Sequence, residues 1–104
     1  MATVNIDRLE RLVQICLAYA RSSAFTQQIR DAFLDDGERL RDDLANATEA
    51  AWQAADSELD DLNAQVETAI EAIGDEQNIE NSFAATIANV TKVVTIVGTI
   101  IKPV

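Results

Sequence analysis

The chain has no histidine, a single cysteine (Cys16), a single proline (Pro103) and three glycines in 104 residues. Each shortage excludes something. Without histidine, the most versatile general base near neutral pH is missing, and so are His-dependent triads and His-ligated zinc or haem. One cysteine cannot close an intrachain disulfide. Cys16 sits on an apolar helical stripe with no partner thiol or imidazole, as a small buried hydrophobe does rather than a nucleophile. Gly37, Gly74 and Gly98 are isolated, so no glycine-rich phosphate loop is present. An all-β chain needs many turns, and the turn-forming residues are too few for that. These shortages predict a non-enzymatic protein with no cofactor and no catalytic residues.

Base is also scarce, and unevenly placed. Residues 1–41 carry six acids and six arginines, whereas Asp42 to Thr91 carries twelve acids and no lysine or arginine. Beyond them lie only Lys92 and Lys102, and the net charge is −10. A field of that sign repels nucleic acid and anionic membranes and favours a basic partner. It also suits a merely solvated surface, or a protein adapted to high salt.

What the chain does have is helical periodicity. Leu40, Leu44, Ala47, Ala51, Ala55, Leu59, Leu62, Val66, Ile70 and Ile73 are spaced at steps of three or four, the mark of one apolar stripe on a long amphipathic helix. At 1.5 Å per residue such a helix spans about 50 Å. The acids lie off the stripe, and Asp56, Asp60, Asp61, Glu67 and Glu71 form the candidate partner face.

Before it, Leu9, Leu12, Val13, Cys16, Phe25, Ile29 and Phe33 keep helical spacing from about residue 5 to 34. Asn5 or Thr3 is placed to cap the start; one helix is expected, with Arg21-Ser22-Ser23 as its weak point, where the alternative is a bend or break with Ser22 or Ser23 capping a new helix. Asp35-Asp36-Gly37 is expected to link this helix to the next. Gly74-Asp75 closes the long helix in the same way, with Asp75 or Asn78 capping the last helix.

That last segment, about 76 to 102, is apolar around most of its circumference. Phe83, Ile87, Val90, Val94, Val97 and Ile101 keep a four-three seam, and Val93, Ile96 and Ile100 widen it. Such a helix is buried on two sides, between the other helices or against a second copy. Two other readings apply to this tail. The β-branched run from Val93 to Val97 suits an intermolecular strand. Residues 82–101 are also long enough to cross a bilayer, although Lys92 at mid-span costs about 2.5–3.5 kcal/mol.

One string resembles a calcium loop in its spacing: Asp56, Glu58, Asp60 and Glu67 occupy its first, third, fifth and last positions. Asp61 stands where that loop requires glycine, and the helical stripe runs straight through, so no metal site is expected.

The expected fold is all-α, a single domain over residues 1–104. Three long antiparallel helices, about 5–34, 38–73 and 76–102, form a bundle joined by short links. A homo-oligomer is expected, a dimer by preference, with Phe83, Ile87, Val90, Val94, Val97 and Ile101 at the interface. The expected function is a cytoplasmic interaction or scaffold protein that presents its acidic helix to a basic protein. The alternatives are a lipid-associating protein that uses residues 82–101 and an acidic decoy that occupies a nucleic-acid-binding site.

Overall fold

The structure, a computed structural model, describes residues 4–74 and 76–101, without the side chains of residues 76–78 and 80. It is all-helical over the described residues: α1 Ile6–Ala20, α2 Gln27–Asn46, the short α3 Glu49–Ala54, α4 Asp56–Ile73 and α5 Glu76–Ile101. The tail from Val93 to Val97 is helix, so the strand reading does not apply to it.

Helix α1 starts where Asn5 accepts a hydrogen bond from the Arg8 amide, and Asp7 sits in its first turn. Thr3, the other candidate cap, lies outside the described residues. The helix ends at Ala20. Tyr19 then packs edge-on against Phe25 at 5.3 Å and against Phe33 at 5.7 Å, folding α2 back on α1. The helix expected over 5–34 is therefore two helices with a loop between them. The cap of α2 is Thr26, whose hydroxyl accepts from the Ile29 amide, rather than Ser22 or Ser23.

The link expected at Asp35–Gly37 is the middle of α2. Ile29, Phe33, Gly37, Leu40 and Leu44 continue one stripe through it. Gly37 serves close packing instead of a turn: a Cβ there would lie 3.0 Å from both Cys16 Cβ and Leu17 Cδ2 of α1.

The single helix expected over 38–73 is also divided. Ala47 is extended (ψ 138°), and Thr48 starts α3 by accepting a hydrogen bond from the Ala51 amide at 3.1 Å. Ala55 then bends the chain into α4. The detour carries the chain across the end of the bundle, with Trp52 and Ala55 buried beneath it.

Gly74 ends α4 at φ 53°, ψ −123°, a backbone conformation that side chains resist. The caps expected at Asp75 and Asn78, and the helix end expected at Lys102, lie outside what is described. Within α5, Ser82 departs from helical angles (φ −132°, ψ 32°), so residues 76–101 form two stretches joined at a kink.

The arrangement is two antiparallel hairpins, α1–α2 and α4–α5, laid side by side. Helix α1 packs on α2 and α4, and α5 packs on α4 and α2, while α1–α5 and α2–α4 stay apart. Polar ties fix the directions. Asn5 donates to Asn63 and Arg8 to Glu67, so α1 and α4 run the same way. Asp36 meets Thr91 and Asp43 faces Gly98, so α2 and α5 do likewise. Gln65 with Asn89, and Thr86 with the Ala72 carbonyl, tie α4 to α5 in antiparallel register. One core runs through all of it, from Leu9, Leu12, Phe33 and Leu40 to Leu62, Val66, Val90, Val93 and Val97.

Candidate interaction surfaces

Helix α4 turns Leu59, Leu62, Val66, Ala69 and Ile73 into the core, which pushes its acids outward. All five candidate acids are exposed, but they do not form one patch. Steps of four, seven and four residues bring Asp56, Asp60, Glu67 and Glu71 onto one line, on the flank nearer α1. Asp61, one residue past Asp60, is rotated by about 100° and belongs to the opposite flank.

The stripe carries one base from another helix. Arg8 of α1 donates from Nε and from a terminal nitrogen to the two Glu67 oxygens, at 2.7 and 2.9 Å. This fork geometry fixes orientation well, although an exposed pair adds little stability. The hydrogen bond and charge of Arg8 hold the Glu67 carboxyl below its ordinary range. Asp56, Asp60, Asp61 and Glu71 have no ion pair among the described residues. The run without base in the sequence is thus partly answered by α1 in space, a pairing that helical periodicity within one segment could not reveal.

The calcium-like string lies wholly in α4, so its carboxylates are spread along a helix instead of wrapping round one point. Among the described residues no three acids or cysteines gather as a metal site would need.

The seam on α5 divides. Val90, Val94 and Val97 lie in the protomer's own interior, between α2 and α4. Phe83, Ile87 and Ile101 are half-buried, as are Ile96 and Ile100. The outward side is made of smaller residues, Ala84, Ala85, Ala88, Thr91, Thr95 and Thr99, with Lys92 as its charge. Among the described residues Leu34 is the one large hydrophobic side chain that is exposed. Asn81–Ile101 is nonetheless long and apolar enough to cross a membrane, and 28% of its apolar window is buried.

A second polar feature lies inside. Asp36 is 5% exposed and accepts a hydrogen bond at 2.8 Å from the Thr91 hydroxyl of α5. Burial pushes its carboxyl up, as does Asp35, while the Thr91 hydroxyl and Arg39 hold it down. Cys16 is nearby with no exposed surface, and burial, helped by the charge of Asp36, pushes its thiol up to about 12. A thiol held neutral and out of reach is a packing group. Asp36 was concealed in the sequence because Asp-Asp-Gly resembles a turn. The signal that could have revealed it is the stripe from Phe33 to Leu40, which passes through it.

No family model, no curated protein and no solved structure matches this chain.

Proposed function

We propose that this chain is a non-enzymatic helical interaction protein. It presents the acidic line on α4 to a basic protein and associates with a second copy through the half-covered edge of α5. The observation that carries the reading is the line itself. Asp56, Asp60 and Glu71 stand exposed on one helix and, among the described residues, without ion pairs, and Arg8 holds Glu67 in orientation between them. Fixed charges on a rigid element suit steering and orientation of a partner of opposite charge.

Position separates this from bulk acidity. Asp56→Asn, Asp60→Asn and Glu71→Gln together remove three charges from the line. Glu49→Gln, Glu58→Gln and Asp61→Asn remove three from elsewhere. Cross-linked partners lost by the first variant and kept by the second support the face. Equal loss with both, at unchanged helicity, contradicts it. An acidic decoy would use the same line but compete with nucleic acid for its partner and release it steeply with salt.

The length and composition of Asn81–Ile101 favour a second reading, association with lipid. Co-flotation with neutral phosphatidylcholine vesicles that persists in the acid-neutralised variant and disappears on truncation after Asn81 would support it over the first.

A further inference from the structure

We propose that Asp36 makes the packing of the two hairpins proton-dependent: the α2–α5 seam is tight when the residue 36 carboxyl is neutral and loosens when it ionises. The geometry is that of a charge position with too little to support it. The carboxyl belongs to a residue only 5% exposed, on the side of α2 near Cys16 of α1, and it meets Thr91 of α5 at the rim of the seam. A buried carboxylate is stable when it has a cation or several donors. Here one donor is in place, the Thr91 hydroxyl at 2.8 Å.

The other groups facing it do not make up the difference. From α1 comes Cys16, a thiol that stays neutral over the working range. From α2 itself come Asp35, which opposes ionisation, and Arg39, which favours it without forming an ion pair among the described residues. From α5 the nearest charge is Lys92, next to Thr91 and on the exposed side. Helix α4 does not approach α2.

Linkage sets the sign. A carboxyl whose folded-state pKa is raised binds its proton more tightly in the folded protein. Its stabilising effect is full below the ordinary value near 3.8 and is lost as pH rises through the raised value. What gives way is a contact between hairpins, because Thr91 belongs to α5 and Asp36 to α2.

The test is urea unfolding of the full chain and of Asp36→Asn at pH values from about 4 to about 8, monitored by helicity and by Trp52 emission. Trp52 lies in α3, which packs on α5, so its emission senses the seam. The expected result is a wild-type midpoint that falls relative to Asp36→Asn as pH rises, with the variant the more stable at the upper end. The Arg8–Glu67 pair is common to both chains and cancels in the comparison. Thr91→Val removes the donor and keeps the branched shape; it should lower the midpoint more at high pH, where the donor faces a carboxylate, than at low pH. Superimposable pH profiles for wild type and Asp36→Asn overturn the proposal. Should Asp36→Asn fail to fold, a Thr91→Val profile parallel to wild type overturns it equally.

Discussion

Gly37 and Asp36 are chain neighbours that α2 places in opposite roles. Gly37 gives up side-chain packing so that α1 can approach, and Asp36 brings a polar group into the space beside it. Replacing Gly37 with alanine would ordinarily strengthen a helix by about 1 kcal/mol. Here the added carbon meets Cys16 Cβ at 3.0 Å, an atom fixed to its own backbone, and overpacking of this kind costs about 1–3 kcal/mol. Gly37→Ala is therefore expected to lower the urea midpoint; a higher midpoint would mean that α1 and α2 can move apart at no cost. Cys16 yields a second expectation. With no exposed surface and its thiol pushed up to about 12, it should resist alkylation at mildly alkaline pH in the folded chain and react at once in denaturant. Neither role was legible in advance, because Asp-Asp-Gly is equally a turn in one context and a close helix contact in another.

At the scale of elements, the sequence pattern carries which side faces inward better than where an axis ends. Leu40, Ala55, Leu59, Leu62, Val66 and Ile73 are buried as the stripe requires, although the chain leaves helical geometry twice between Leu40 and Leu59. A break hides from periodicity when the residues after it resume the same inward side. Thr48 was the local sign of this break, a good cap placed where a continuous helix would not need one. Thr48→Ala removes the acceptor for the Ala51 amide and is expected to cost about 1 kcal/mol, measured by thermal unfolding. The first loop showed in the sequence only as a weak point at Arg21–Ser23 within a helix expected to continue; its closure, Thr26 with the Tyr19–Phe25–Phe33 contacts, depends on aromatic side chains that meet only after the chain has reversed. The acidic line on α4 was legible in composition. Its separation from Asp61 and its pairing with Arg8 required knowing which helix lies alongside.

For the whole molecule, charge and apolar surface act against each other. A net charge of −10 on a bundle 40 Å long and about 20 Å across favours expansion, and added salt screens that repulsion. Thermal stability should accordingly rise between low and molar salt; a fall would point to attractive ion pairs such as Arg8–Glu67 as the larger electrostatic effect. Solution mass from light scattering at both salts tests self-association directly. A fixed multiple of 11.3 kDa supports association through the α5 edge, which is mainly apolar and therefore insensitive to salt. A monomer at both salts removes that part of the proposal and leaves the acidic line.

The side-by-side hairpins also set an order of events in folding. Within each hairpin, contacts close over short stretches of chain. The ties between them join residues far apart: Arg8 and Glu67 are separated by 59 positions, Asp36 and Thr91 by 55. Long closures cost more chain entropy and come late. Each hairpin should therefore begin to form before the two meet, with the docking surfaces still apolar and open at that moment. Substitutions at Tyr19 or Phe25 are then expected to slow folding, whereas substitutions at Arg8 or Asp36 are expected to act mainly on the rate of unfolding.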